Sequence, residues 1–468
     1  MSDKISLTKA DRIRNVFRYL KKFKDATVVL YIDDKIINST VFSSHIKDLA
    51  LLHDAGLKIM IVPGSKFRID QVLLQAGKTW SYHNSCRITC EENIPLIKMA
   101  AFDVSNEVMT ALAGEGITAV IGNWVRSRRK GVIDGFDYQT NGEIDKLQID
   151  TIQQVLDDGL IPIFPCIGWN LTGKPFNISS MDLAAEIARN MKADKLFYLT
   201  DGLEINANTI QLPNGLQFNE NNKLPAINLQ ELQNIISLNT TELSEGFLNS
   251  TEPSVNSTED SLNSPTEHSV KFKLVHLFEL ANKACQNNVS RVHILDGNID
   301  GTLLTEIFTD LGSGTMIYSK NYGTFRPMVQ EDISSVIQLI KPFVEQKILL
   351  PRTPDQIKEN IPNYTVYELD GAIRACAALI PYPDGQMELS CVAVDESFSH
   401  IGIGPKLIKN LIEKAKESGA KDLFLLTTQT FDWFEKLGFK PTTIDTLPEE
   451  RKKIWDKSRN SKPMKIDF

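Results

Sequence analysis

Long apolar runs are missing from this sequence. No run approaches the roughly 18 residues that a helix needs to cross a bilayer, so we expect no membrane span. Positive charge is not in excess either, because the net charge is −8, which argues against a nucleic acid partner. With 42% hydrophobic and 24% charged residues, the composition is typical of globular proteins, and 468 residues are enough for two or three domains.

Cysteine is scarce, and no two cysteines form a CxxC pair. The six positions are Cys86, Cys90, Cys166, Cys285, Cys376 and Cys391. His83 lies near the first two, but no fourth ligand stands at a spacing typical of zinc, so we expect no metal. We interpret all six as reduced thiols in the core of a cytoplasmic protein.

The amino terminus, MSDKISLTKADRIRNVFRYLKKF, is basic but lacks the apolar region of a secretory signal. Apolar residues recur there at helical spacing, so we predict that residues 1–25 form a docking helix that packs on another subunit. The alternative is a mitochondrial transit peptide. Asp3 and Asp11 argue against it, because such peptides contain few acidic residues.

Short apolar runs alternate with helical patterns between residues 26 and 318. The predicted strands are ATVVLYI, LKIMIVPG, ITAVIG, IPIFPCIGW, KLFYLTDG and RVHILDG, and patterns such as SMDLAAEIARNMKA separate them. Buried strands separated by helices predict an α/β fold with a mostly parallel sheet between helices. Residues 240–270 differ, since they are rich in Ser, Thr, Asn and Glu and contain no Lys or Arg, so we predict a flexible surface insertion there.

A second pattern begins at about residue 319 and continues to residue 468. A strand and a helix in FRPMVQEDISSVIQLIKPFVEQ precede two runs of antiparallel character, YTVYELDGAIRACAALIPYP and GQMELSCVAV, and a turn is predicted at Asp370-Gly371 within the first of them. A long helix, the strand DLFLLTTQ and the short helix FDWFEKLG follow. We therefore predict a separate α+β domain over residues 319–468.

A glycine turn begins the long helix of this second domain. Gly402 and Gly404 follow the strand that ends at Val394, and Pro405 stands in the first helical turn, where proline is favoured. The backbone N–H groups of such a turn, with a helix behind them, can bind a pyrophosphate. The alternative is a plain glycine-rich turn.

The order of strand, glycine turn, helix, strand and then WFEKLGF resembles the GNAT acetyltransferases. The resemblance implies acetyl-CoA as co-substrate, held by Cys391, Val392, Val394, Ser399, His400, Gly402 and Gly404. Ser399 departs from the Gln or Arg of the superfamily pattern. Phe434 stands where many members carry the tyrosine that protonates the leaving thiolate, so the general acid must be another group.

Four motifs of the second domain resemble the N-acetylglutamate synthase family of bacterial arginine biosynthesis. They are VEQKILLPRT, CAALIPYPDGQMELSCVAV, LFLLTTQTFDWFEKLGF and LPEERKKIWDKSRNSK. The resemblance implies acetyl transfer to the α-amine of L-glutamate in a homo-oligomer.

Acetyl transfer to an amine needs a base, and Glu388 lies on the strand that leads to the thioester site. Its apolar neighbours would partly desolvate it; a solvated strand carboxylate is the alternative. The resemblance implies a hydroxyl near the thiolate at Thr427, which could equally be a packed strand residue. It also implies that Arg352, Arg451 and Arg459 hold the substrate carboxylates, which arginine forks bind well; the alternative is that each is a surface arginine.

The first half resembles the N-acetylglutamate kinase branch of the amino acid kinase family, through FNISSMDLAAEIARNMKADKLFYLTDG and RVHILDGNIDGTLLTEIFTDLGSGTMI. Active members open with Lys-x-Gly-Gly, whereas this chain has Tyr31, Asp33 and Asp34 at those positions. Carboxylates facing a triphosphate repel it, so we predict that kinase activity is lost.

The resemblance implies that the surviving site of the first half binds L-arginine, as inhibitor or activator. The matching positions are Lys195, His293 and Glu306, with Gly312 or Gly314 in the loop nearby. The alternative is that these residues only bury salt links. Three other functions stay open: an acetyltransferase for another amine, a regulator that binds arginine and acetyl-CoA without turnover, and an active kinase.

Overall fold

A computed structural model of the chain describes residues 16, 23–83, 86–88, 90–133, 135–213, 216–219, 222–248, 267–308, 312–319, 323–369, 372–395 and 402–468. The chain divides into two compact units, Met1–Lys320 and Asn321–Phe468. Most of the predicted amino-terminal helix lies outside the described residues, as does the predicted turn at Asp370-Gly371. No helix in the described part is both long and apolar enough to cross a membrane.

The first unit is built on an eight-stranded sheet in which all neighbours are parallel except β15 and β16. In sheet order its strands are β14 (Ala226–Asn228), β16 (Thr315–Tyr318), β15 (Arg291–Asp296), β13 (Lys195–Thr200), β1 (Thr27–Ile32), β2 (Lys58–Pro63), β10 (Ile161–Ile163) and β5 (Ala119–Ile121). The mostly parallel sheet predicted from the sequence is confirmed.

Helices cover both faces of this sheet. They are α1 (Asp34–Ile37), α2 (Phe42–Asp54), α3 (Lys66–Gln75), α4 (Ile94–Gly114), α5 (Ile149–Asp157), α6 (Ser180–Asn190), α7 (Leu229–Leu248), α8 (Glu267–Gln286) and α9 (Thr302–Phe308). Successive side chains of a strand point to opposite faces. Val29 and Tyr31 of β1 therefore join one apolar core, and Leu30 and Ile32 join the other.

A smaller sheet carries the order β12-β11-β6-β9, and two hairpins complete the unit. Its strands are β12 (Pro175–Asn177), β11 (Ile167–Trp169), β6 (Val125–Arg129) and β9 (Gly142–Leu147); the hairpins are β3 (Ser81–His83) with β4 (Cys86–Ile88), and β7 (Val132–Ile133) with β8 (Phe136–Asp137). The run IPIFPCIGW, predicted as one strand, is divided between β10 and β11 of different sheets. Pro165 stands between them, where it has no N–H to continue a ladder.

The predicted insertion over residues 240–270 is helical at both ends. Helix α7 continues to Leu248 and α8 begins at Glu267, while residues 249–266 lie outside the described residues. Helix α7 is anchored before this segment by apolar residues of the first core such as Leu232, and α8 is anchored after it by residues such as Leu274. Helix propagation from these anchored parts accounts for the helical ends of the segment.

The second unit is a seven-stranded, largely antiparallel sheet. In sheet order its strands are β17 (Gly323–Pro327), β18 (Tyr364–Leu369), β19 (Ala372–Pro381), β20 (Gln386–Val394), β21 (Asp422–Thr427), β23 (Lys462–Asp467) and β22 (Lys440–Pro441). Its helices are α10 (Ile333–Glu345), α11 (Pro354–Glu359), α12 (Ile403–Glu417), α13 (Phe431–Lys436) and α14 (Glu449–Lys453). The α+β character predicted for this part is therefore present, with one apolar core on each face of the sheet.

Candidate functional site

The two central strands of the second unit separate part of the way along. Strands β20 and β21 are parallel, and they pair only from Gln386–Asp422 to Glu388–Phe424. Beyond Glu388, β20 stays bonded to β19 alone, and β21 continues beside β23. The backbone of β20 after Glu388 therefore has one edge without a strand partner, where an extended ligand could bind.

Cys391 bends β20 at this opening. Its φ angle is +54°, in the left-handed region that non-glycine residues seldom adopt, and the ladder with β19 shifts register near Cys376. The Cys376 thiol lies 3.7 Å from the Cys391 carbonyl oxygen. A hydrogen bond from the Cys376 thiol and the charge of Arg352 lower the pKa of the Cys391 thiol to about 7.

Glu388, the predicted base, is only 6% exposed. Its Oε2 atom accepts hydrogen bonds from the Tyr382 hydroxyl and from Nε of Arg451, each at 2.9 Å. The structure thus joins two predicted site residues, Glu388 and Arg451, and adds Tyr382, which the sequence analysis missed. The hairpin register could have indicated it, because Ile380 pairs with Glu388 and Tyr382 follows on the same face.

Thr427, the predicted hydroxyl residue, ends β21 and is buried. Its Oγ1 atom lies 3.0 Å from Oγ1 of Thr430 and accepts a hydrogen bond from the Thr430 backbone N–H at 3.2 Å. Thr430 precedes helix α13. The hydroxyl therefore fixes the turn between strand and helix at the edge of the opening.

The predicted glycine turn leads directly into helix α12. Gly402 has a φ of +69°, and a Cβ atom on Gly404 would lie 3.1 Å from the Trp433 ring. Helix α12 therefore begins close to α13 and to the end of β20, with its first N–H groups unpaired by the helix itself. Ser399 and His400, also predicted to contact the coenzyme, lie outside the described residues.

The other two predicted arginines lie near the same stretch of chain. Arg352 donates a hydrogen bond to Oγ of Ser390 on β20 at 2.6 Å, two residues beyond Glu388. Arg459 donates to the backbone carbonyls of Lys347 and Ile348 at 3.2 and 3.0 Å, in the loop that leads to Arg352. Arg451 and Arg352 thus lie beside neighbouring β20 residues, and Arg459 lies on the loop.

Phe434, where many GNAT members have tyrosine, is part of the core. Its ring packs against Trp433 and Phe439, with ring centroids 4.8 and 5.7 Å apart. The residue is 6% exposed. Its position therefore serves packing and supplies no proton.

The residues Tyr31 and Asp33, at and just after the end of β1, are packed against other groups of the first unit. The Tyr31 hydroxyl donates to Oδ2 of Asp33 at 3.5 Å, and Lys273 contacts the same oxygen at 3.3 Å. A Cβ atom on Gly64 would lie 3.0 Å from the Tyr31 hydroxyl, so the tyrosine packs directly on this glycine. Tyr31 and Asp33, which the resemblance to the amino acid kinases matches to a lysine and a glycine, thus contact each other and neighbouring groups of this chain.

Asp34 adds a carboxylate at the amino end of helix α3. Its Oδ2 atom accepts hydrogen bonds from the backbone N–H groups of Phe67 and Arg68 at 2.5 and 3.2 Å. Burial, followed by the charge of Asp33, raises the pKa of Asp34 to about 7. A helix amino end that binds anions in other proteins is therefore already occupied here.

The predicted effector residues meet at the other end of the same strands. His293 of β15 lies beside Phe197 of β13, with the rings stacked 4.5 Å apart, and its Nδ1 atom is 2.6 Å from Oε1 of Glu306. Lys195 begins β13, and its ammonium lies 4.3 Å from the centre of the Phe23 ring. The structure thus assembles Lys195, His293 and Glu306 in one buried cluster.

Glu306 also closes the loop that follows helix α9. Its Oε2 atom accepts hydrogen bonds from the backbone N–H groups of Ser313 and Gly314. Burial lowers the pKa of His293 to about 4. Burial opposes ionisation of Glu306, but His293 and the two N–H groups outweigh it and lower the pKa of Glu306 to about 2.

Within the described residues no group of three or more His, Cys, Asp or Glu side chains could hold a metal ion. All six cysteines are free thiols.

Both units match known families. Residues 26–296 match the amino acid kinase family, and residues 332–439 match the acetyltransferase (GNAT) family. The resemblances found in the sequence are thereby confirmed.

Relatives and solved structures match over nearly the whole chain. The amino-acid acetyltransferase of Escherichia coli (strain K12) is 30% identical over 465 residues, covering 97% of each chain. That of Mannheimia succiniciproducens is 30% identical over 452 residues, covering 95% of this chain and 94% of the relative. N-acetylglutamate synthase from Neisseria gonorrhoeae, complexed with coenzyme A and L-arginine, has a TM-score of 0.75 at 27% identity and covers 99% of this chain and 100% of that chain.

The same Neisseria enzyme, complexed with coenzyme A and N-acetyl-glutamate, has a TM-score of 0.57 at 28% identity, with 98% of this chain and 99% of that chain covered. Because the similarity includes both units, the chain belongs to the amino-acid acetyltransferase family, with an amino acid kinase region followed by a GNAT region.

Proposed function

We propose that this enzyme is an N-acetylglutamate synthase, which transfers the acetyl group of acetyl-CoA to the α-amine of L-glutamate. The observation that carries the proposal is the buried carboxylate of Glu388 at the point where β20 and β21 part. The names and ligands of the matching proteins support the choice of substrates.

Glu388 is the general base. Its carboxylate accepts a proton from the α-ammonium of glutamate, and the neutral amine then attacks the thioester carbonyl carbon. The tetrahedral intermediate collapses as the C–S bond breaks. The nitrogen loses its second proton and the coenzyme A thiolate gains one, giving N-acetylglutamate and free coenzyme A. The backbone at Cys391 and Val392 is the candidate for N–H donation to the developing oxyanion.

The coenzyme is held along the free edge of β20 and at the start of helix α12. The positive φ of Gly402 and the close packing of Gly404 form a turn whose N–H groups suit a pyrophosphate. Val392 and Val394 provide backbone beside it, and Cys391, Ser399 and His400 complete the proposed set. Thr427 positions the turn between β21 and helix α13, on the other side of the opening between β20 and β21.

Arginine side chains hold the two carboxylates of glutamate. Arg352 and Arg451 lie beside Ser390 and Glu388 of β20, and Arg459 lies on the loop that leads to Arg352. Planar guanidinium groups bind carboxylates through paired hydrogen bonds, which favours an acidic amino acid over a neutral one.

The first unit is a sensor for L-arginine rather than a kinase. Lys195 suits the α-carboxylate of arginine, and Glu306 suits its guanidinium. The chain acts as a homo-oligomer in the cytoplasm, with the segment over residues 1–25 linking subunits.

The proposal is tested by measuring thiol release from acetyl-CoA with a panel of amino acids, with and without L-arginine. We expect release that depends on glutamate and changes when arginine is added. Release with a different amine and none with glutamate would favour the rival acetyltransferase. Binding of both ligands without release would favour the regulator that catalyses nothing.

A kinase function is tested separately, by measuring ADP formation from ATP in the presence of N-acetylglutamate. We expect none, because Tyr31, Asp33 and Asp34 fill the phosphate end of the sheet.

A further inference from the structure

Two donors meet on one oxygen of the proposed base. The Tyr382 hydroxyl and the Arg451 Nε–H both point to Oε2 of Glu388, each at 2.9 Å. Among the described residues, no side chain or backbone group donates a hydrogen bond to Oε1. The carboxylate is therefore held by one oxygen, and the other is left for a ligand.

This cluster is shielded from water. The side chain of Glu388 is 8% exposed and that of Arg451 is 12% exposed. In such surroundings a charged hydrogen bond is stronger and better oriented than on the surface. Removing one partner leaves the other buried without a hydrogen bond. The Tyr382 ring is itself held in place against Phe424 of β21, with centroids 5.7 Å apart.

Arg451 contributes only its Nε to this contact. Its two Nη groups make no hydrogen bond to any described residue. A guanidinium is a planar fork, so the Nε contact also fixes the direction in which the Nη groups point. A lysine at this position could balance the charge but could not fix the carboxylate in the same way.

We propose that Tyr382 and Arg451 are positioning residues for Glu388: they hold Oε2 so that Oε1 is the atom that accepts the proton from the substrate amine. The inference rests on the proposed role of Glu388 as base. It gives Arg451 a task in the chemical step, in addition to any contact with glutamate.

The proposal makes the two donors act on the orientation of the base. The charged and hydrogen-bonding groups that face Glu388 are Tyr382, from the turn after β19, and Arg451, from helix α14. A carboxylate that loses a donor is oriented less firmly. Loss of either donor should therefore lower kcat and leave KM for acetyl-CoA unchanged.

The experiment compares Tyr382→Phe, Arg451→Lys and Glu388→Gln with the full-length wild type. For each, kcat, KM for both substrates and the pH profile of kcat/KM are measured by thiol release, and folding is checked by thermal unfolding. Lys452→Gln is the matched control, because Lys452 is the next residue on α14 and only pairs with Glu449 at the surface, at 2.7 Å.

We expect Tyr382→Phe and Arg451→Lys each to lower kcat about tenfold, with KM for acetyl-CoA unchanged. Glu388→Gln should lose nearly all activity, and Lys452→Gln should match the wild type. Tyr382→Phe keeps the ring and its packing, so its result does not depend on a loss of folding.

Three results separate the failure of this inference from the failure of the proposed function. If Glu388→Gln is inactive while the other two variants change only KM for glutamate, Arg451 is a substrate clamp and the positioning role is wrong. If Glu388→Gln keeps the full rate, Glu388 is not the base and this inference fails, while acetyl transfer to glutamate stands. If the wild type releases no thiol with glutamate, the proposed function itself fails.

Discussion

The carboxylate of Asp34 accepts a hydrogen bond from the backbone N–H of Phe67 at 2.5 Å, at the amino end of helix α3. The N–H of Arg68 donates to the same oxygen. A helix amino end attracts anions through its unpaired N–H groups and its dipole. An acidic side chain of the chain itself thus takes up this helix amino end, in a first unit from which we expect no phosphate transfer.

Asp34 predicts an unusual pH dependence of stability. Its pKa is raised to about 7, mainly by burial and then by Asp33, from about 3.9 in an unfolded chain. The raised pKa stabilises the folded unit below about pH 4, and this contribution is lost as the pH rises through 7, at up to about 1.4 kcal/mol per pH unit. Asp34→Asn removes this titration but keeps an oxygen acceptor.

We therefore expect the stability of Asp34→Asn relative to wild type to increase between pH 4 and 7 and to level off above that. Hydrogen exchange of the backbone amides in β2 and α3 measures this difference in stability locally. A local measurement suits a chain with two units, because its unfolding need not be two-state. Asp54→Asn, at an exposed carboxylate that ends α2, is the control. Identical pH curves for Asp34→Asn and wild type would contradict the assignment.

The glycine turn gives a prediction about coenzyme binding. Gly402→Ala has open space for its Cβ atom, but the positive φ of +69° strains any residue with a side chain, at a cost of about 1 kcal/mol. Relief of that strain would rotate the N–H groups of the turn. We expect KM for acetyl-CoA to rise about fivefold with KM for glutamate unchanged.

Gly419→Ala is the matched control, because Gly419 follows the same helix α12 at its other end with a φ of +74° and equally open space. It should lower stability by a similar amount and leave KM for acetyl-CoA at the wild-type value. Equal effects of the two substitutions on KM would show that the turn does not bind the coenzyme.

The buried cluster of the first unit gives a prediction about L-arginine. Glu306→Gln removes the negative charge that we propose binds the guanidinium of L-arginine. It keeps an oxygen that faces the N–H groups of Ser313 and Gly314. We expect the affinity for arginine, measured by calorimetry, to fall about tenfold to a hundredfold. Activity without arginine should stay close to wild type.

Glu279→Gln serves as its control, since Glu279 also faces a histidine, His276, but on helix α8 outside the cluster. The alternative that these residues only bury a salt link predicts a different result. In that case Glu306→Gln would lower the free energy of unfolding and leave the affinity for arginine unchanged.

Much of the fold could be predicted because strands and turns are determined by residues that are close together in the sequence. The alternation of Val29, Leu30 and Tyr31 between two cores follows from strand period, and the positive φ at Gly402 follows from the need for a turn before α12. The helical ends of the polar insertion were not predicted, because helices α7 and α8 continue into it from parts that are anchored in the core, such as Leu232 and Leu274.

Pairings across long stretches of sequence were not predictable. Arg451 and Glu388 are 63 residues apart, and Asp34 and Phe67 are 33 apart, so no periodic pattern connects either pair. The sequence suggested that Asp34 repels a phosphate, and the structure adds that its carboxylate binds the amino end of helix α3. Tyr382 is an intermediate case, since the register of the β19–β20 hairpin would have indicated it.

The measurement that tests the central claim most directly is glutamate-dependent thiol release by wild type and Glu388→Gln, with acetyl-CoA binding measured in both. We predict equal binding of acetyl-CoA and a rate at least about a hundredfold lower in the variant, because loss of a general base has that effect. Equal rates, with the coenzyme bound equally, would contradict Glu388 as the base and the account built on it.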